Sequence, residues 1–363
     1  MKRSSEDQKK RNSETGIVGT MEVLTKEGWT EVQELEEQQK VASVNPDTRE
    51  IEMVEVLNVE VYPENAKVLH YKTRDVDIIL TPTQSAFVFY KNKKGQYVRK
   101  KVISASQIRK SNKMAISAYK WSGEKPEYFM LPAVEVREKG RRKVQVLEER
   151  AIPYREFLKF LGYYLGDGHV RKLPRHDIEF SQHIRNENTL MDICQGIGAD
   201  VRKYQKGKDC SVYTYVIQDI QLAEYLRKLG YSAEKYIPRE FMELDPDYLR
   251  CLLEGYMAAD SHKKDKGYIL SSVSEMLMED VQEMILKTYG QICTVRPVWK
   301  RYKGNPYKYY RLHFTPETKR REYVAYGKPE VIEHTNVLCK LNLAKNRYIF
   351  VRHNGVIGIC STE

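Results

Sequence analysis

A chain of 363 residues with 61 Lys and Arg against 50 Asp and Glu has a formal charge of +11, which favours a polyanionic partner, nucleic acid first, over an acidic substrate. Its length exceeds one compact core and points to two or three domains, and 41% hydrophobic residues suffice for folding without help. No apolar run reaches the roughly 18 residues that span a bilayer, and six cysteines without a CxxC pair argue against a zinc site and a secreted disulfide scaffold, so a reducing, cytoplasmic setting is expected.

Residues 1–15 are polar, lack an apolar signal core and read as a solvated flexible tail. From Val18 to Tyr119, short alternating stretches such as Val54–Val61 and Val76–Leu80, punctuated by Gly, Pro and Asn, predict an all-β region. Glu127–Pro132 and the run Lys139-Gly140-Arg141-Arg142-Lys143 read as a connector, whose basic run serves either a DNA backbone or plain solubility.

Two apolar, helix-like segments follow, Phe160–Gly168 and Leu252–Ser261, and each ends on a carboxylate beside very small residues. Gly162, Gly166, Gly255, Ala258 and Ala259 would let two such helices pack almost backbone to backbone, bringing Asp167 and Asp260 together. Carboxylates held that close repel unless a cation lies between them, and a hard divalent ion suits both the carboxylates and DNA phosphates. The bland alternative is a pair of buried helices whose terminal Asp residues merely cap the next turn.

The stretch after each segment repeats in outline. Ile178–Gln182 followed by a helical Asn188–Ile197 is echoed by Tyr268–Ser272 followed by Glu279–Tyr289, and Val201–Tyr204 is echoed by Val295–Val298. Two αβ units related by a pseudo-twofold are therefore expected. Alternation in Val298–Lys303 and Lys308–His313 puts basic and aromatic groups on an outward face suited to a β-ribbon in a major groove, and the 26 tyrosines fit such a surface as readily as a core. Near the end, Asn336–Leu341 and Arg347–Arg352 read as strands, with Asn354-Gly355 as a tight turn; a β domain thus receives its last strands after an insertion.

The segments Phe160–Gly168 and Leu252–Ser261 resemble the paired motifs of LAGLIDADG homing endonucleases of the single-chain, two-repeat kind, departing at Leu165 and Ser261 but keeping both terminal Asp residues. The flanking β regions resemble the Hint (hedgehog and intein) fold in Gly16–Thr20, Val23–Trp29, Thr81-Pro82-Thr83-Gln84 and Tyr348–Ser361. The resemblance implies an α+β chain in which a split all-β Hint-like domain is interrupted by an αββαββα endonuclease domain. Its expected divisions are a tail at 1–15, the first Hint part at 16–125, a connector at 126–152, the endonuclease at 153–330 with repeats at about 153–245 and 246–330, and the last Hint strands at 331–363.

The splice chemistry of that family looks altered at each position. Gly16 stands where a Cys or Ser nucleophile belongs, Gln84 replaces the activating His, and Ile359-Cys360 stand where His-Asn would precede Ser361. An acyl shift needs a thiol or hydroxyl that glycine lacks, and cyclisation needs an Asn amide, so splicing is expected to be lost.

For the interrupting domain, the resemblance implies a site-specific double-strand DNA endonuclease, with Asp167 and Asp260, together with Gly166 and Ala259, holding Mg2+, for which Mn2+ can substitute. Lys235-Tyr236-Ile237-Pro238 resembles the Lys-x-x-Pro block that carries a catalytic lysine in intein-type endonucleases. Asp167 to Lys235 and Asp260 to Lys328 both span 68 positions, which proposes Lys328 as the second lysine, with Lys319 its competitor. DNA contacts are expected from Arg171, Lys172, Arg175, Gln182, Arg202, Lys203, Lys300, Arg301, Lys303, Lys308 and Arg311. The implied partner is duplex DNA with a long asymmetric target, bound by a monomer inside a bacterial, phage or archaeal host and without a membrane. The alternatives are a non-cleaving DNA-binding regulator, an RNA maturase on the same fold, and a still self-processing intein.

Overall fold

The computed structural model describes residues 15–63, 66–100, 103–137, 144–205, 211–264, 267–316, 322–334 and 337–362. Residues 1–14 of the expected tail, the basic run 139–143, Cys210 and Lys319 lie outside the described residues. The chain forms two units, the first from Met1–Trp121, Ile285–Arg296 and Thr315–Glu363, the second from Ser122–Met284 and Pro297–Phe314. Among the described residues no helix is long and apolar enough to cross a membrane.

The first unit is built from short antiparallel strands. Its largest sheet runs in the order Ile17–Val18, Val337–Leu343, Ile51–Pro63, Lys40–Val44, Glu22–Thr25, Tyr348–His353, Val356–Ser361, with Gly28–Glu31 paired to Glu22–Thr25. Ile17 lies opposite Cys339, so the start of the β region closes on strands that arrive more than three hundred positions later. These strands are dense in Val and Ile, and Val41, Val54, Val56, Ile349, Val351 and Ile357 are buried among them. At the hairpin between Tyr348–His353 and Val356–Ser361, Asn354 and Gly355 take φ of 50° and 72°, the left-handed pair that a two-residue turn requires.

The expected boundary at 330/331 moves. Strand Tyr323–Ala325 pairs with Lys113–Ala115, and Pro329–His334 pairs with Ala66–Lys72, so residues 315–330 belong to the first unit. The open edges of two small sheets took that segment, because an unpaired strand edge leaves its backbone donors and acceptors unmatched. The connector also differs from a plain crossing: Tyr128–Leu131 pairs with Arg150–Pro153, and Val134–Arg137 with Val144–Leu147.

The second unit holds a repeated topology. Helix α1 (Tyr154–Asp167) precedes a sheet ordered Gly168–Val170, Asp177–His183, Val212–Gln218, Val201–Gln205, and helix α2 (Glu187–Gly196) falls between its second and third strands in sequence. Helix α3 (Ile220–Arg227) closes that repeat. Helix α4 (Pro246–Asp260) precedes a sheet ordered Ser261–Lys264, Gly267–Ser272, Asn305–Phe314, Val295–Tyr302, with helix α5 (Glu275–Tyr289) in the corresponding place; α5 belongs to this unit up to Met284 and the last strand from Pro297 on. The expected two-repeat arrangement is what the chain adopts in this unit, and α3 has no counterpart after the second sheet among the described residues.

The α1–α4 contact explains the glycines. A Cβ on Gly162 would lie 2.0 Å from the Leu252 carbonyl oxygen, one on Gly255 would lie 2.0 Å from that of Lys159, and one on Gly166 would meet the Ala259 Cβ at 2.6 Å. Only residues without a side chain permit this approach. Gly162 with Gly255, Gly166 with Ala259 and Asp167 with Asp260 share one offset of 93 positions, so the helices run parallel and in register to a common end. Tyr163, Tyr164, Tyr215 and Tyr256 are fully buried around them, so a good part of the tyrosine content is core and not outward surface.

Candidate acidic site at the paired helix ends

Asp167 is the last residue of α1 and Asp260 the last of α4. The first turn of α4 starts on Pro246 after an Asp245 N-cap, whose carboxylate accepts from the Asp247 N–H at 3.1 Å. Both terminal carboxylates are pushed up from the ordinary range. Burial is the main cause for each; Gln182 and Lys235 oppose it at Asp167, while at Asp260 the charge of Asp167 adds to it and brings the carboxyl to about 6. Asp260 reaches solvent, which screens part of this repulsion.

Gln182 has a different place from the one expected of it. It is buried, donates from its amide to the Asp167 carboxylate and accepts from Asn186 Nδ2 at 2.9 Å, so it positions the acid and is not available to DNA. The signal for this was its position on the second strand of the repeat, whose inward residues face the end of α1, but a lone Gln carries no mark of such a role.

Lys235 is buried at 7% exposure, and its ammonium donates to the carbonyls of Tyr164 at 2.9 Å, Leu165 at 3.0 Å and Gly168 at 2.7 Å. These are carbonyls at the C-terminal end of α1, where a cation is favoured. Burial lowers the lysine to about 8, against the raising influence of Asp167 and Asp260, so it remains mainly charged at neutral pH. Sequence reasoning missed how its segment is held: Ser274 Oγ donates to the Lys235 carbonyl at 2.6 Å, and the Ile237 N–H donates to Asp280 at 2.8 Å. Asp280 is itself pushed up to about 7, chiefly by burial. Replacing Lys235 by Met is expected to remove three hydrogen bonds to buried carbonyls, of which Tyr164 keeps the Gly168 N–H, and to lower stability by about 2 kcal/mol, measurable by urea denaturation.

Lys328 does not match Lys235. It lies in the first unit, exposed, at the entry to strand Pro329–His334, whereas Lys235 lies in the second. The equal spacing in sequence has no structural counterpart, because strand pairing at Tyr323–Ala325 and Pro329–His334 assigns this segment to the first unit.

Of the expected DNA contacts, Lys172, Arg175, Arg202, Lys203, Lys300, Arg301, Lys303, Lys308 and Arg311 are exposed. Arg171 is more engaged, pairing with Glu179 and, at 3.9 Å, with Asp177. Lys203 lies 4.1 Å from the Tyr213 ring centre and pairs with Glu187 at 2.6 Å, and Lys300 and Lys308 sit 5.0 Å and 4.5 Å from the rings of Tyr309 and Tyr310. A groove of about 300 Å3 on the first sheet is lined by Arg171, Glu179, Tyr204 and Thr214. Trp299 and Tyr204 are 68% and 50% exposed.

In chemical terms the helix ends offer two carboxylates, with Gly166 and Ala259 at the helix contact immediately before them, and one buried ammonium nearby. An oxygen donor set of this charge fits Mg2+ or Mn2+. A raised native carboxylate pKa means that the folded protein binds protons more strongly than the unfolded one, so metal-free stability falls as pH rises from the ordinary carboxylate range through about 6. A divalent cation is accordingly expected to raise the melting temperature by several degrees at about pH 7.5 and by little at about pH 5, and Asp260→Asn should erase the difference. Equal stabilisation at both pH values would count against these ligands.

The chain matches no protein-family profile. It is 24% identical over 278 residues to the ATP-dependent Clp protease proteolytic subunit of Chlamydomonas moewusii, covering 73% of this chain and 27% of that one. It is 26% identical over 174 residues to the replication factor C small subunit of Methanocaldococcus jannaschii, covering 47% and 9%, and 22% identical over 156 residues to the DNA polymerase II large subunit of Thermococcus kodakarensis, covering 42% and 9%. The chain thus spans about a quarter or less of the relatives it matches. Solved structures with partial likeness include the N-terminal LAGLIDADG domain of WhiA (11% identity, 45% of this chain and 76% of that one, TM-score 0.31). Two others are the homing endonuclease I-WcaI bound to its DNA recognition sequence (12%, 46% and 77%, TM-score 0.30) and I-DmoI in complex with DNA and Mn (14%, 44% and 89%, TM-score 0.30).

Proposed function

We propose that this chain is a divalent-metal-dependent, site-specific double-strand DNA endonuclease of the LAGLIDADG kind, carried within a Hint-like β domain that no longer splices. The observation that carries the reading is the registered ending of two backbone-packed helices on Asp167 and Asp260. A catalyst that cuts both strands of a duplex needs two acidic centres in a fixed pseudo-symmetric relation, and this packing supplies one per repeat.

A divalent cation held there would supply charge neutralisation at the phosphate and activation of the attacking water. Gln182 fixes the rotamer of Asp167 through its amide donation. Lys235 holds the end of α1 in place and adds a positive charge beside both carboxylates, favouring the dianionic character that develops on the phosphate. The exposed cations of the two sheets supply phosphate affinity, and the rings among them stack or pack against sugar and base edges.

The relatives support a portable segment. A protease subunit, a replication factor and a DNA polymerase share no activity by name, yet each matches this chain over a minor part of its own length. Partial matches of this kind support reading the chain as an embedded module of the Hint-insertion type. Within the first unit Gln84 Nε2 donates to the Ser361 carbonyl at 2.6 Å, the Gly16 N–H faces Thr81 Oγ1 at 3.4 Å, and Ala86 bridges Cys360. These contacts support reading Gly16, Gln84 and Cys360 as altered splice positions, and Gly16 offers no nucleophile there. The Cys360 thiol is fully buried and pushed far above its usual range by that burial. Purified protein is expected to keep an intact mass of 42.6 kDa on prolonged incubation with a thiol; shortened products would restore the self-processing alternative.

The decisive test is cleavage of duplex DNA from the native genomic neighbourhood with the reading frame removed, in Mg2+ and in EDTA. Discrete metal-dependent double-strand cuts support the assignment. Tight duplex binding without cutting overturns it in favour of a regulator, and preference for folded RNA favours a maturase.

A further inference from the structure

His353-Asn354 reads in sequence as the lead into a turn, but the structure brings it to two residues far away in the chain. His70 on strand Ala66–Lys72 and His353 at the end of strand Tyr348–His353 both point ring nitrogens at one carboxylate oxygen of Asp77, each at 2.7 Å (Nε2 and Nδ1 respectively). The two rings stand nearly perpendicular, at 85° and 5.5 Å between centres, and Asn354 Nδ2 lies 3.3 Å from the second oxygen of Asp77. The three ligand atoms lie within 4.8 Å of one another.

We propose that His70, Asp77 and His353 form a transition-metal site, with Zn2+ as its natural occupant. Two imidazole nitrogens and one carboxylate oxygen are a donor set that suits Zn2+ and is a poor one for Mg2+. The site is therefore chemically distinct from the oxygen-only pair Asp167 and Asp260. Zinc binding of this kind needs no cysteine pair, and its three residues are drawn from positions up to 283 apart in the chain.

Several features prepare it. Asp77 is 5% exposed, and its carboxylate is fixed in place by contacts from His70, His353 and Asn354. The His70 and His353 side chains retain 14% and 23% exposure, which leaves an entry path. Two imidazoles and one carboxylate leave a fourth position that a water can fill. Lys72 lies 3.9 Å from the second Asp77 oxygen and is mostly exposed, free to swing outward. Binding would replace the protons between ring and carboxylate by the metal and open the nitrogen–oxygen separations by about 0.5 Å, the difference between hydrogen-bonded and tetrahedrally ligated atoms.

Such an ion would tie the last hairpin of the β unit to strands Ala66–Lys72 and Asp77–Leu80 across a very long loop, which is where a cross-link restrains the unfolded chain most. The test uses the full chain freed of metal, titrated with Zn2+ alone in a chromophoric chelator competition and with Co2+ by visible absorption. One equivalent of Zn2+ should bind with micromolar or tighter affinity, Co2+ should show the d–d bands of a tetrahedral N/O site, and Zn2+ should raise the melting temperature. His353→Gln and His70→Ala should each weaken binding by about 10–100-fold, while Asp167→Asn leaves it unchanged. Because one variant can misfold, circular dichroism accompanies each, and the Co2+ spectrum of the unmodified chain judges the site without any substitution. No saturable Zn2+ binding, thiolate charge-transfer bands, or affinity indifferent to both His changes in folded protein would overturn the proposal.

Discussion

Asp167→Asn and Asp260→Asn are each expected to reduce double-strand cleavage by about 10^3-fold or more while leaving the affinity for the same duplex within about threefold, since loss of a metal ligand removes several kcal/mol of transition-state stabilisation. The separation of cutting from binding follows from the layout. The acids end buried helices, whereas the exposed cations that would meet phosphate lie on the two sheets. Asn keeps the shape of Asp and removes a charge that burial already disfavours, so neither variant should lose stability without metal. Asp260→Asn should be the more stable protein at neutral pH, because the unmodified carboxylate there is pushed up to about 6. Cleavage and binding would be measured on one labelled duplex, in Mg2+ and in Ca2+. Retained cutting in either variant would remove that acid from the mechanism, and parallel loss of binding would show that the substitution had disturbed the fold.

Gly255→Val and Gly162→Ala should be the most damaging substitutions to folding, each costing more than about 3 kcal/mol. Any Cβ at these positions arrives 2.0 Å from a backbone carbonyl oxygen of the facing helix, and backbone cannot step aside as a flexible side chain can. The helices would have to separate along α1 and α4, exposing Leu161, Leu252, Leu253 and Tyr256, which are now buried, and losing the register that aligns the two acids. Chemical denaturation with two probes would measure the loss. Glu254→Ala, on the exposed side of α4 beside Gly255, should change stability by less than about 0.5 kcal/mol and separates a packing effect from a general sensitivity of the helix. A tolerated Gly255→Val would contradict the close approach.

Much of this molecule is written in local pattern. Alternation of Val and Ile marked the strands of the first unit, Asn354-Gly355 marked its last hairpin turn, and the repeated helix–strand–strand order marked the two halves of the second. The small residues of α1 and α4 determined the close packing, since contact at backbone distance depends on the absence of side chains and can be read from residue type alone. Tertiary structure decided what local pattern leaves open. A lysine is a lysine whether it reaches DNA or, like Lys235, seals three carbonyls at a helix end, and a glutamine on a strand can face solvent or, like Gln182, hold an acid. Strand pairing drew Tyr323–Ala325 and Pro329–His334 into the first unit and took Lys328 with them, because hydrogen bonding at a sheet edge is chosen by space and not by spacing in sequence. The same long-range closure set His70, Asp77 and His353 around one oxygen atom, a meeting that depends on sheet register and so has no trace in the order of the residues.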